Sequence, residues 1–140
     1  MPSSRVGWHD MNERRRITTA SPYEELFGFC RAVRVGSHIA IAGTAPIGPD
    51  GKTVSPNEAE PQARRCFEII EAALAGLDAG LGDVVRTRMY LTHIDDWEAV
   101  GRVHGEYFGT IRPASTMLAV AQLIDPEWRV EFEADAIVSE

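Results

Sequence analysis

Residues 129–138, RVEFEADAIV, alternate between apolar and acidic side chains along a whole strand. Successive side chains of a strand point to opposite faces of a sheet. The apolar residues therefore share one face: Val130, Phe132, Ala134, Ala136 and Val138. The acids share the other: Glu131, Glu133 and Asp135. The pattern predicts a sheet with helices on one face and no cover on the other.

Residues 83–92, DVVRTRMYLT, predict a second strand with bases in place of acids. Its apolar face takes Val85, Met89 and Leu91. Its polar face takes Arg86, Arg88 and Tyr90. If the two strands are neighbours, or meet across a subunit contact, the arginines can pair with the carboxylates. The alternative is a solvated charged face, because exposed ion pairs contribute only about 0–1 kcal/mol.

The remaining apolar patterns predict further strands and two helices. The strands lie at 15–19, 29–35, 38–43 and 115–123. The connection Gly36-Ser37 predicts a tight hairpin, and the turn-forming residues of 44–57 predict a surface loop.

Helical periodicity covers 58–80, and a second helix follows Asp95. Gly80 and Gly82 are the expected left-handed residues at the end of the first helix. Asp95 and Glu98 have the spacing of a capping box at the start of the second. The order β-β-β-α-β-α-β-β predicts a two-layer α+β sandwich, with one domain over 15–140 after a flexible arm over 1–14.

Composition excludes several classes of function. The chain has 140 residues, is 44% hydrophobic and carries a formal net charge of −7. This charge, without a stripe of lysines and arginines, argues against a nucleic-acid partner. No apolar run approaches the roughly 18 residues of a membrane span, and the first residues lack a signal-peptide pattern. We therefore expect no membrane partner, a cytoplasmic location, and reduced thiols at Cys30 and Cys66.

The sequence contains no motif that indicates a cofactor or a metal. The chain lacks the common nucleotide-binding and hydrolase motifs, and its histidines lack the spacing of a metal site. We expect neither a metal nor a cofactor. His104 falls on the apolar face of the second helix, where a packed, hydrogen-bonded histidine is the simpler interpretation.

Four stretches carry a resemblance to a known family: VRVGSHIAIAGTAPIGPDGKTV (33–54), the helix and strand of 60–100, IRPASTMLAVAQL (111–123) and VEFEADAIV (130–138). Over about residues 15–138 the chain resembles the YjgF/RidA family of reactive intermediate deaminases. The resemblance implies a chorismate-mutase-like fold. It also implies a homotrimer in which three sheets surround a central barrel and small molecules bind in clefts between subunits.

The resemblance implies a set of site residues as well. The imine-hydrolysing branch has an arginine that binds the carboxylate of a 2-imino or 2-enamino acid, and this chain has Ser115 there. Four other positions of that branch fall on Phe29, Ala42, Gly101 and Met117. The acid of the last strand is retained as Glu131, whose implied role is to position the attacking water. Without the arginine, binding of a carboxylate should weaken by several kcal/mol.

Arg112 and Arg31 are the two candidate replacements for this arginine. The alternative is a less anionic, more apolar ligand. The resemblance implies hydrolysis of an imine, an enamine or a related C–N bond, without a cofactor. Two other functions remain open: a small-molecule-binding or sensor trimer without chemistry, and an endoribonuclease, against which the net charge argues.

Overall fold

The computed structural model describes residues 13–19 and 21–139, so most of the predicted arm over 1–14 lies outside the described residues. The strands are β1 (Arg14–Ile17), β2 (Ala32–Val35), β3 (His38–Thr44), β4 (Val84–Leu91), β5 (Ala114–Ala119) and β6 (Val130–Ile137). The helices are α1 (Pro22–Phe27), α2 (Ala59–Gly76) and α3 (Trp97–Phe108). Short 3-10 turns, Leu81–Asp83 and Ile94–Asp96, precede β4 and α3.

The strands form one six-stranded sheet in the order β1-β2-β3-β6-β4-β5. Among the described strands only β4 and β5 run parallel; the other neighbours are antiparallel. Helix α2 packs on β3 and β6, and α3 packs beside α2. The predicted α+β fold is therefore confirmed. In the described part of the chain no helix has the length and apolar character needed to cross a bilayer.

The core lies between the sheet and the two longer helices. Along β6 the alternation is as predicted, because Val130, Phe132 and the two alanines are buried while the acids between them stay partly exposed. Phe67 of α2 is fully buried, with its ring centroid 4.8 Å from that of Phe132 and 5.5 Å from that of Phe108. Tight aromatic packing of this kind dominates core energetics.

One face assignment on β4 is wrong. Val84 pairs with Ala136 and Arg86 with Asp135, so β4 carries one extra residue against its neighbour. Such a β-bulge shifts the alternation of side chains. Val84 is therefore buried, at 3% exposure, and Val85 is 43% exposed. Beyond the bulge Met89 and Leu91 face the core as predicted.

The predicted pairing of arginine with acids is confirmed, since β4 lies beside β6. Arg88 Nη1 lies 3.1 Å from Asp135 Oδ2 and 3.8 Å from Glu133 Oε1. The Tyr90 hydroxyl donates to Glu133 Oε1 at 2.8 Å. The face away from the helices is thus a partly exposed polar network.

The helix ends differ from the prediction in two places. Helix α2 ends at Gly76, and Asp78, with φ 61°, is the left-handed residue rather than Gly80, with φ −147°. The predicted capping box at Asp95 is also wrong. The N-cap of α3 is Asp96, which makes no side-chain capping bond, because its carboxylate binds Arg129 at 2.9 Å.

Helix α1 is absent from the prediction. Ser21 caps it by accepting a hydrogen bond from the Tyr23 N–H, and Pro22 occupies its first turn. Both residues favour a helix start as well as a turn. The helix ends after six residues at Gly28, which has a left-handed φ of 78°.

Candidate functional site

Glu131 lies where β6 meets an irregularity in β3. Ile41 pairs with Ala134 and Thr44 with Phe132, so two residues of β3, Ala42 and Gly43, stand opposite one residue of β6. A methyl group at Gly43 would collide with Glu131 Oε2. Glycine in a strand often marks such a close approach. The glycine thus makes room for the carboxylate against the β3 backbone.

Arg31 is bound to the same bulge. Its carbonyl accepts a hydrogen bond from the Ala42 N–H at 3.0 Å, and its Nη1 donates to the Gly43 carbonyl at 2.8 Å. Arg31 Nε is buried and has no hydrogen-bond partner among the described residues. A buried donor without a partner costs free energy, so this N–H destabilises the folded protein. Arg31, Ala42, Gly43 and Glu131 are called the Glu131 cluster below.

The electrostatics of the cluster suit proton transfer. Burial raises the pKa of the Glu131 carboxyl, the charge of Glu133 raises it further, and the charge of Arg31 opposes both. Burial disfavours a charged carboxylate, and a raised pKa makes the ionised form a stronger base. Glu131 therefore has the properties of a general base beside a cation.

Glu131→Gln is expected to raise the melting temperature at about pH 7. A carboxyl with a raised pKa binds more protons in the folded state than in the unfolded state, so it destabilises the fold most when it is ionised. The gain should shrink as the pH falls through the usual carboxyl range, where Glu131 becomes neutral. Thermal unfolding of both chains across pH measures this difference. A lower melting temperature of the variant at neutral pH would contradict the prediction.

Ser115 belongs to a second group of residues. Thr87 Oγ1 lies 2.8 Å from Ser115 Oγ and 2.8 Å from His104 Nε2, within hydrogen-bond distance of both. Thr87 is fully buried, and Ser115, on β5, is exposed. A methyl group at Gly101 of α3 would lie 3.9 Å from Met117 Cε, two residues after Ser115 on β5. These five residues are called the Ser115 cluster below.

The two clusters lie on opposite faces of the sheet. Thr87 pairs with Ser115 on one side and with Ala134 on the other, so all three point toward the helices. Glu131 is three residues from Ala134 along β6 and points away from the helices. Within one chain, Ser115 and Glu131 therefore cannot contact the same small molecule.

Phe29 and Arg112 lie in neither cluster. Phe29 follows α1, is 45% exposed, and its N–H donates to the Glu24 carbonyl at 2.9 Å. Arg112 follows α3, with a left-handed φ of 55°, and its side chain is exposed. Its N–H donates to the Phe108 carbonyl at 2.8 Å, so its backbone terminates the helix.

Sequence reasoning missed two residues of these clusters. Gly43 is the site of closest approach to Glu131, and a glycine within an apolar strand was the available signal. Thr87 connects Ser115 to His104, and no feature of the sequence indicates this role. His104 is partly buried and hydrogen-bonded, as expected.

Both cysteines are free thiols. Cys30 Sγ donates to the Ala32 carbonyl at 3.4 Å, and Cys66 Sγ donates to the Thr44 carbonyl at 3.2 Å. Burial raises the pKa of the Cys66 thiol well above its usual value. Since thiolates are the reactive form, the buried Cys66 is a packing residue.

Comparison with known proteins agrees with this fold. The family model described as "Endoribonuclease L-PSP" matches residues 18–138. The crystal structure of Rv2704 from Mycobacterium tuberculosis, described as a member of the YjgF/YER057c/UK114 family, has a TM-score of 0.82 and 41% identity. It covers 90% of this chain, and the match includes 100% of Rv2704.

Two relatives extend the comparison to full-length sequences. Uncharacterized protein SCO2049 of Streptomyces coelicolor is 39% identical over 124 residues, which are 87% of this chain and 90% of that protein. The RutC family protein PYRAB12510 of Pyrococcus abyssi is 33% identical over 120 residues, 86% of this chain and 94% of that protein. The fold and the similarity to these proteins together define an α+β protein with a YjgF-like fold. The chain belongs to the Endoribonuclease L-PSP family, and proteins described as YjgF and RutC family members are among its relatives.

Proposed function

We propose that this protein is a cytoplasmic homotrimer that binds a small metabolite in clefts between subunits and hydrolyses an imine, an enamine or a related C–N bond. The observation that supports the reaction is the Glu131 cluster. It combines a desolvated carboxyl, a cation and a backbone that glycine opens for close approach. Glu131 is the proposed general base.

The proposed chemistry requires only water and proton transfer. Glu131 takes a proton from water as the oxygen attacks the carbon of the C=N bond. The protonated Glu131 gives this proton to the nitrogen, which completes the carbinolamine. Glu131 then takes the carbinolamine hydroxyl proton and transfers it to the nitrogen as the C–N bond breaks, so ammonia leaves and a carbonyl product remains. General-base catalysis of this kind contributes about 10²–10⁴-fold to a rate. In this proposal the Arg31 guanidinium supplies the positive charge beside Glu131.

The arrangement of the site supports the proposal of an oligomer. Ser115 and Glu131 occupy opposite faces of one sheet, so a ligand that contacts both must lie between two copies of the chain. Ser115 lies on the edge strand β5, where a neighbouring subunit has access. The two longer helices lie on the other face of the sheet, so the polar face suits a subunit contact around a central barrel.

One relative's name supports deaminase-type chemistry. A protein of Dermatophagoides farinae, 23% identical over 128 residues, is named 2-iminobutanoate/2-iminopropanoate deaminase. The family model is named for an endoribonuclease. A chain with a net charge of −7 offers little attraction to phosphates, so we favour a metabolite over RNA.

The substrate is proposed to differ from a 2-imino acid, because Ser115 stands where the deaminase branch binds the carboxylate. Ser115→Arg is therefore expected to increase ammonia release from freshly generated 2-aminoacrylate by at least about tenfold, the factor that about 1.4 kcal/mol of transition-state stabilisation supplies. Steady-state ammonia release by the parent and the variant measures this effect. Thr116→Arg, on the opposite face of the same strand, is the matched control.

Three outcomes separate the alternatives. Activity only in Ser115→Arg supports a competent scaffold with a different natural substrate. Activity in the parent shows that this arginine is dispensable and directs attention to Arg31 and Arg112. If both chains bind ligands but neither hydrolyses a C–N bond, the enzyme proposal fails and a binding or sensor trimer takes its place.

A further inference from the structure

The Ser115 hydroxyl is the exposed end of a hydrogen-bonded chain that begins in the core. His104 Nε2 lies 2.8 Å from Thr87 Oγ1, which in turn lies 2.8 Å from Ser115 Oγ. Thr87 is completely buried between the strands and α3. These hydrogen bonds form a short, continuous series that runs from the helix layer to the edge of the sheet.

The hydroxyl protons of Thr87 and Ser115 determine which hydrogen-bonding groups Ser115 presents to a ligand. Thr87 has a single hydroxyl hydrogen, so it donates to one neighbour and accepts from the other. If His104 donates to Thr87, Thr87 donates to Ser115, and the Ser115 hydrogen is free to point outward. If the chain runs the other way, Ser115 donates inward and its lone pairs face outward. Ser115 thus presents a hydrogen and a lone pair outward in one state, and lone pairs alone in the other.

The surroundings of His104 keep both states accessible. Its ring packs against Phe67 and Phe108, with centroids 5.7 and 4.8 Å away. Burial lowers the pKa of His104. A neutral imidazole carries its proton on either nitrogen, so Nε2 can serve as donor or as acceptor. An imidazolium would permit only the outward-donating state.

We propose that the Ser115–Thr87–His104 chain is a binding element for an uncharged ligand group that both donates and accepts hydrogen bonds, such as a primary amide. The proposal rests on the intersubunit cleft of the proposed function and names the substrate class for it. None of these three side chains carries a charge that could balance a carboxylate. Met117, which lies in the same cluster, adds apolar surface rather than a cation. A carboxylate placed against Ser115 meets no positively charged side chain within the Ser115 cluster, whereas an amide needs only hydrogen-bond partners.

The test compares two probes that differ only at this group, 2-oxobutanamide and 2-oxobutanoate. Binding is measured by calorimetry in the Glu131→Gln chain, so that chemistry does not interfere. We expect the amide to bind about tenfold more tightly than the carboxylate, a difference that one or two net hydrogen bonds supply.

Two variants locate this preference. Ser115→Ala removes the exposed end of the chain, and Thr87→Val removes its middle without changing the surface. Both are expected to lose most of the preference for the amide. Thr116→Ala, a neighbouring exposed position on the other face, should retain it. If Thr87→Val fails to fold, Ser115→Ala on the exposed edge strand still decides the question.

Tighter binding of the carboxylate, an unchanged preference in Ser115→Ala, or no binding of either probe would overturn the proposal. The outcomes also separate it from the proposed function. A clear amide preference without turnover of any C–N substrate would leave the binding element standing and reject the enzyme. Turnover in the parent without an amide preference would do the reverse.

Discussion

Glu131→Gln is expected to lower the rate of C–N hydrolysis by about 10²–10⁴-fold, the usual contribution of a positioned general base. Glutamine keeps the size of the side chain and cannot accept a proton from water at neutral pH. Glu131→Gln is introduced into whichever protein hydrolyses the substrate, the parent or Ser115→Arg, and ammonia release is measured with and without it. The loss should be in kcat, because Glu131 acts on water in the transition state.

Glu133→Gln is the matched control for this prediction. Glu133 lies on the same strand and the same face, where it accepts a hydrogen bond from Tyr90 at 2.8 Å. Its replacement should leave the rate within a few-fold of the parent. Gly43→Ala supplies an independent approach, because the added methyl group displaces the Glu131 carboxylate and should also reduce the rate. Parent-like activity in Glu131→Gln would remove the acid from the mechanism.

Phe67→Ala is expected to lower the free energy of unfolding by about 3–5 kcal/mol, the usual cost of deleting a buried phenylalanine. Phe67 is fully buried, and its ring packs against the rings of Tyr107, Phe108 and Phe132. The variant therefore leaves a cavity where α2, α3 and β6 meet. Domains are stable by only about 5–15 kcal/mol, so this loss is a large share of the total.

Urea unfolding at one fixed protein concentration measures the effect, since stability depends on concentration in an oligomer. Phe27→Ala is the control, because Phe27 is 69% exposed on α1 and its removal should change stability by less than about 0.5 kcal/mol. A loss below about 1 kcal/mol in Phe67→Ala would show that the core tolerates the cavity by collapsing.

Much of the fold follows from hydrophobic periodicity. The hairpin around Gly36 and the long helix before β4 were predictable because each pattern is local and continues over many residues. The alternation of β6 also predicted which face the helices cover. The predicted face of Val85 was wrong because a bulge depends on how two strands pair. This pairing is set by contacts between residues far apart in sequence.

Helix ends were harder to predict for a related reason. Asp96 has a residue type suited to capping α3, but its carboxylate binds Arg129, which is distant in sequence. Ser21 and Pro22 favour a turn and a helix start equally, so α1 could not be distinguished from a turn. In the first case a local signal competes with a tertiary contact, and in the second the local signal fits two structures equally well.

Some residues of the candidate site could also be predicted from the sequence, and others could not. The proposed role of Glu131 came from the family resemblance, and its neighbour Gly43 could be found only once the β3 bulge was known. The connection of Ser115 to His104 depends on the parallel register of β4 and β5, which places Thr87 beside Ser115. No local pattern contains that register.

The alternation along β6 also bears on how such a protein diverges. Every second residue of this strand belongs to the core. The acids between them lie on the polar face and include the candidate base, Glu131. Changes of chemistry on one face therefore do not require repacking on the other. A gene encoding this strand could drift in specificity through its odd-numbered codons while selection for folding holds the even-numbered ones. A domain built this way is well suited to acquire new substrates without first losing stability.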